Sequence, residues 1–248
     1  MTTRQATSLL PRPADDVIGD YARSASEWAA VLAFGAIQWP WLLRSLHGGR
    51  LADKHALLDR LDLPHDALPY LGSWKADTGL LTLLVDHILE RRPRRVVEFG
   101  TGASTLVIAR AMQRAGGGTL ISFDQHADFV DATREWLAEY GLSADLRAAP
   151  LRRSPRGWPG LWYDHGPIPA GIDLMLIDGP PWSVHPLTRG AAESLFDKVV
   201  PGGTVMLDDA ARPGERFIAR RWRREHPEFT FELDQSGTKG TLIGRKRR

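Results

Sequence analysis

Residues 95–105 read RVVEFGTGAST, and this stretch decides the fold. Val96, Val97 and Phe99 make a short β-branched and aromatic run, Gly100 and Gly102 break it, and TLVIARAMQR (105–114) continues at helical spacing. A strand that turns through glycines straight into a helix is the opening unit of an open parallel sheet, where ligands bind beyond the carboxyl ends of the strands. The third glycine of a dinucleotide fingerprint is replaced by Thr105, and Glu98 stands two residues before the first glycine. A carboxylate there repels a pyrophosphate and attracts a cationic, amino-acid-bearing ligand.

Downstream the pattern repeats. Strands are expected at 95–99, 119–123, 144–148, 172–177, 204–207, 229–233 and 240–243, with helices at 104–114, 127–140, 189–198 and 214–226. Alternating strands and helices imply a mostly parallel sheet covered on both faces. Only DQSGTK separates the last two strands, so they read as an antiparallel hairpin at the sheet edge. The fold class is therefore α/β, a Rossmann-like doubly wound seven-stranded sheet. Upstream, residues 15–71 carry helical spacing punctuated by Pro40, Gly48, Gly49 and Pro64 into about three short helices, and 78–91 forms a longer one. The expected division is an N-terminal helical cap at 1–75 and a main domain at 76–248. The uncharged run WAAVLAFGAIQWPWLL (28–43) is too short for a membrane span and reads as a buried helix and turn.

Composition narrows the chemistry. The chain has 248 residues, 43% hydrophobic and 25% charged, enough to bury a substantial core. It contains no cysteine, which excludes disulfides, thiolate nucleophiles and iron–sulfur or zinc-finger sites, and leaves oxygen or imidazole as ligands for any metal. No apolar segment follows the first arginine, so cytoplasmic residence is expected. The net charge of +2 hides an asymmetry: residues 212–248 hold 11 Lys/Arg and 5 Asp/Glu, so the rest sums to −4. Such basic ends are usually solvated, and a nucleic-acid partner is the disfavoured reading.

Asp124 ends the second strand, 24 residues past Gly100, where a carboxylate can accept both hydroxyls of a ribose. With Glu98-x-Gly100-x-Gly102 after the first strand, this resembles the class I S-adenosylmethionine (SAM)-dependent methyltransferases over residues 78–244. The resemblance implies that Glu98, Gly100, Thr101, Gly102 and Ser104 line the methionine end and that Asp124 holds the ribose. It further implies that Pro150 or Leu151 lies near the adenine and that Asp178 borders the cofactor.

Strand four ends LMLIDGPPW (174–182) and strand five ends VMLDDA (205–210). In a doubly wound sheet these ends are neighbours, so Asp178, Asp208 and Asp209 converge. Clustered like charges demand a cation, and a hard divalent ion such as Mg²⁺ is the simplest resolution. The segments resemble the cation-dependent O-methyltransferases, and the methyltransferase 24-like branch in particular, which implies these three as metal ligands and a hydroxyl on a small molecule as acceptor. The catechol-type enzymes place a lysine where this chain has Pro181, so His185 on the same loop is the substitute base, with Asp178 beside it. Arg189 at the start of the following helix suits orienting an anionic or hydroxyl-rich substrate, although helix-start arginines are usually solvated, and Asp164 and His165 are further loop candidates.

The acceptor is less legible. Trp39, Trp41, Trp74, Trp158, Trp162 and Trp182 fall in the cap or in loops near the expected cleft, and aromatic platforms suit sugar rings or flat acceptors. The loop 150–171, with Arg152, Arg153 and Arg156, suits a lid. Alternatives are methylation of nucleic acid through the basic end and a non-catalytic Rossmann-like binding protein. Self-association is compatible with either.

Overall fold

A computed structural model describes residues 21–248, and the expectations for residues 15–20 lie outside the described residues. The sheet is built from β1 (Arg95–Phe99), β2 (Thr119–Asp124), β3 (Asp145–Ala148), β6 (Ile172–Ile177), β7 (Val199–Leu207), β8 (Phe229–Asp234) and β9 (Thr241–Lys246). Its order is β3-β2-β1-β6-β7-β9-β8, with β9 antiparallel to both neighbours and the other pairings parallel. The seven expected strands are these seven.

Both faces of the inner strands are buried, so these strands alternate between two apolar layers, whereas the edge strand β8 alternates between core and solvent. Val96, Leu120, Leu174, Leu176 and Met206 face one layer, with helices α3 (Thr78–Arg91), α4 (Ala103–Arg114) and α5 (Ala127–Glu139). Leu57, Leu58, Leu61 and Leu68 join that layer, carried by α2 (Leu51–Arg60) and the segment after it. Val97, Phe99, Ile121, Met175, Ile177 and Leu207 face the other, against Phe196, Trp158, Trp162 and Trp222. Helix α6 (Pro213–Glu225) brings Trp222, whose indole donates to Gly190 O at 3.1 Å.

Three local expectations are corrected. Residues 28–43 lie in one helix, α1 (Ala25–Ser45), which continues through Pro40 and is capped by Ser24 and Glu27 in a reciprocal box. It is not buried: Trp28, Leu32, Ile37, Trp39 and Leu43 are exposed, because apolar residues surround the whole helix and only one side has a protein neighbour. The stretch 189–198 is a 3₁₀ helix, Thr188–Lys198, rather than an α-helix. Gly190 is pressed on the Trp158 ring, where a Cβ would come within 2.2 Å, and its carbonyl is taken by Trp222. Finally, residues 150–171 contain a hairpin, β4 (Leu151–Arg153) with β5 (Leu161–Tyr163), separate from the main sheet. Strands of three residues each are too short to leave a period-2 signal. No described helix is long and apolar enough to cross a membrane.

Candidate active site at the strand ends

The ladder is stitched beyond its last register pairs. Gly100 N donates to Phe123 O at 2.8 Å, Asp178 N to Phe99 O at 2.8 Å, and Asp208 N to Ile177 O at 3.0 Å. These bonds set the residues following β2, β1, β6 and β7 side by side along one edge. Gly100 adopts φ 104°, and a Cβ there would meet Gly179 N at 3.1 Å, so the turn requires glycine.

Glu98 is fully buried on β1, opposite Ser122 in the register. The hydroxyls of Thr105 and Ser122 both donate to its Oε2 at 2.6 Å, and Thr105 Oγ1 in turn accepts from Gly102 N at 2.8 Å. Burial pushes the carboxyl up to about 7, against the pull of the hydroxyls of Ser104, Ser122 and Thr105. Among the described residues, its Oε1 and the Thr101 hydroxyl are buried without a hydrogen-bond partner, and a Cβ on Gly102 would meet nothing within 4 Å. Unsatisfied polar atoms beside open space are what a polar ligand completes, so these residues fit a SAM molecule at its methionine end. Asp124 is buried at the end of β2, its Oδ1 accepting from His126 N at 2.9 Å. Ala149 N donates to Asp124 O, which puts the exposed Pro150 and half-buried Leu151 immediately beyond Asp124.

Asp178, Asp208 and Asp209 do converge, one carboxylate oxygen of each lying within 4.8 Å of the others. They are not alone. Arg189, expected in solvent, is buried at 5% exposure, because its guanidinium serves three strand-end carbonyls as well as two carboxylates. It donates to Asp209 Oδ2 at 3.0 Å, to Pro180 O at 3.1 Å, to Asp208 O at 3.3 Å, to Asp178 Oδ1 at 3.4 Å and to Asp178 O. Arg212 also reaches Asp209 Oδ2 at 3.0 Å while its other bonds clamp Glu215. Lys239 places Nζ 3.6 Å from Asp208 Oδ2 and 3.6 Å from Asp209 Oδ1. Burial alone would raise Asp209, but Arg212, Lys239 and Arg189 together hold it below the ordinary carboxylate range. Asp208 is raised, by burial and by the Asp209 charge, more than Lys239 lowers it. Lys239 itself is raised, the carboxylates outweighing its burial, and is a fixed cation.

For a divalent ion the donor set is right and the surroundings are wrong. Such an ion takes oxygen ligands at about 2.0–2.6 Å and several waters. Here an ammonium already faces the Asp208–Asp209 pair and two guanidiniums cover Asp209 Oδ2. The residues present do not fit a resident Mg²⁺ ion.

Two further expectations change. His185 is buried, its Nδ1 accepting from Leu187 N at 3.1 Å and its Cβ lying against Gly160. Burial lowers it to about 4, and the charges nearest it are Glu27 and Arg23 rather than the three aspartates. It is a loop-packing residue. Trp158 and Trp162 are core residues, under Arg221 at 4.0 Å and against Phe99 at 4.9 Å respectively, and Trp39 faces solvent, so these three make no platform in the cleft. Asp164 pairs with Arg152 at 2.8 Å, and His165 lies edge-on to Phe99 and tilted against Phe123.

Residue patterns gave no sign of Tyr163. Among the described residues its hydroxyl is buried without a hydrogen-bond partner, and it touches Gly179, where a Cβ would lie 2.0 Å away. Burial raises it well above the usual phenol value, helped by Asp124, Asp178 and Glu98 on several sides. A phenol among the three acids that border the cleft is positioned to donate to whatever fills it. Tyr163→Phe is expected to keep thermal stability within about 1 kcal/mol of the parent, since no bond is lost. SAM affinity measured calorimetrically should fall about tenfold.

The fold has counterparts. Residues 97–210 match a family model described as a methyltransferase domain, of the methyltransferase 24 type. Over those residues the chain carries a methyltransferase domain. The TomG O-methyltransferase of Streptomyces achromogenes, solved with SAM, is 19% identical to this methyltransferase with TM-score 0.54, covering 86% of this chain and 99% of its own. An O-methyltransferase from Bacillus cereus solved with SAH is 14% identical with TM-score 0.53, at 88% and 100% coverage. The SAH-bound Podospora anserina methyltransferase PaMTH1 is 13% identical with TM-score 0.52, at 93% and 100%. At such identities the likeness establishes the fold. No curated protein matches the methyltransferase in sequence.

Proposed function

We propose that the methyltransferase transfers the SAM methyl group to a hydroxyl oxygen of a small molecule. The observation that carries this reading is Glu98, locked by Thr105 and Ser122 with one oxygen left unpartnered, on the same sheet edge as Asp124 and Asp178. The two O-methyltransferase neighbours support oxygen as the acceptor. When bound, SAM supplies a methyl group activated on a sulfonium. Glu98 attracts the cationic amino-acid end, Asp124 accepts the ribose hydroxyls, and Tyr163 donates into the cleft between them. Asp178, half-buried and raised by burial, is the carboxylate that takes the acceptor hydroxyl's proton as the methyl arrives. Asp178 would hold that proton once the methyl group has moved to the acceptor oxygen.

Burial of Arg212 and Lys239 weakens the nucleic-acid alternative, because two cations of the basic end are internal partners of carboxylates. Titration calorimetry of the full chain should show one SAM site, weakened roughly 10- to 100-fold by Asp124→Ala as its charged hydrogen bonds to ribose are lost. Absence of SAM binding to the parent chain would overturn the reading. A hydroxyl-compound panel scored by SAH release then defines the acceptor.

A further inference from the structure

The turn between β8 and β9 is anchored from across the molecule. Asp77, 1% exposed, caps α3 by accepting from Leu80 N at 2.8 Å through Oδ1. Its Oδ2 accepts from the backbone N–H groups of Thr238 and Lys239 and from the Thr238 hydroxyl. Gly79 and Gly237 allow the approach, since a Cβ on Gly79 would lie 2.3 Å from Gly237 Cα. The turn is thus fixed to a helix 161 positions earlier in the chain, and its lysine side chain is delivered into the aspartate cluster with only 4% exposure. Among the described residues, Asp208 has no hydrogen-bond donor for either carboxylate oxygen, and the Lys239 ammonium is the cation facing it.

We infer that Lys239 is a built-in cation holding the place between the strand-end carboxylates that a divalent ion would take, so that this chain neither takes up such an ion nor needs one for methyl transfer. An ion close enough to ligate Asp208 and Asp209 must share the space facing both with the ammonium, against like-charge repulsion. The ammonium is delivered there by a backbone that Asp77 holds at Thr238 and Lys239, and the side chain is buried along its length. Arg189 and Arg212 take the remaining Asp209 oxygen, and Arg189 takes Asp178 Oδ1. Three fixed cations do the neutralising that an exchangeable ion does elsewhere, and they cannot be stripped or loaded. The methyl-transfer half of this inference rests on the function proposed above; the binding half does not.

Manganese provides the probe. Chelator-stripped full-length protein is titrated with MnCl₂ and free Mn²⁺ followed by its paramagnetic resonance signal, with and without SAM. The parent chain should leave the signal undiminished up to about 1 mM, whereas Lys239→Ala should bind one equivalent at least tenfold more tightly. One equivalent bound by the parent in the micromolar range overturns the inference whatever the variant does. A folded Lys239→Ala chain that stays silent overturns the assignment of Lys239 as the blocking group. Asp208→Asn, which keeps shape and removes one carboxylate, should leave the parent baseline unchanged; loss of manganese binding on that change would show that a metal site exists. SAM titration of the same samples in excess chelator is read separately, so failure of the cofactor reading appears there and not in the manganese signal.

Discussion

Arg189→Met is expected to lower stability by about 3–5 kcal/mol, and the unfolding midpoint by roughly 6–20 °C for a chain of this size. The side chain is buried and spans the ends of β6 and β7, touching Asp178, Pro180, Asp208 and Asp209. Methionine fills much of the volume but leaves Asp209 with one arginine fewer and three carbonyls without a donor. The Asp209 backbone adds to the cost, since it sits at φ 58°, a left-handed conformation sustained by the surrounding bonds. Arg189→Lys should recover little, because an ammonium cannot present the planar fork that serves two carboxylates and three carbonyls together. Thermal unfolding at pH 8, where the aspartates are most demanding of a partner, is the measurement. A loss below about 1 kcal/mol would mean that Arg212 and Lys239 suffice to neutralise the cluster.

The same residue shows where sequence reading stops. The sheet was legible because Val96-Val97, Ile121, Leu174–Ile177 and Val205–Leu207 are apolar runs bounded by glycine or aspartate, and a doubly buried parallel strand needs that texture. Glu98, the two glycines and Asp124 were legible for a related reason: their positions are tied to strand ends by a few residues. Arg189 and Lys239 reach the cluster from segments distant in sequence, and only tertiary packing converts them from surface charges into buried partners, whereas Arg212 is a local partner three residues after Asp209. Asp77 is further still in sequence from the lysine it holds. Tyr163 escaped notice because a three-residue strand outside the sheet carries it. Helix α1 failed for the opposite reason, since apolar composition does not say whether a neighbour exists to cover it.

Glu98→Gln is expected to separate stability from function, raising one as it removes the other. With the folded carboxyl near 7 and the unfolded one near 4.5, the native state holds a proton that the unfolded chain has released at intermediate pH. Stability from this group is fully present below about pH 4.5 and is lost as pH rises to about 7, by roughly 3 kcal/mol in all. Glutamine can accept from Thr105 and Ser122 through its oxygen as the carboxylate does and carries no charge to desolvate. At pH 8 the variant should therefore unfold at a higher temperature than the parent, and its stability should lack that slope. Cofactor binding moves the other way. A cationic ligand favours ionised Glu98, so SAM affinity of the parent should rise with pH up to about 7 and level off, and binding below 7 should release a proton. Calorimetry in buffers of different ionisation enthalpy reads that proton directly. The variant should bind SAM roughly 10- to 100-fold more weakly, with no pH dependence from this position and no proton release. Unchanged affinity with unchanged proton release in the variant would remove Glu98 from the cofactor site.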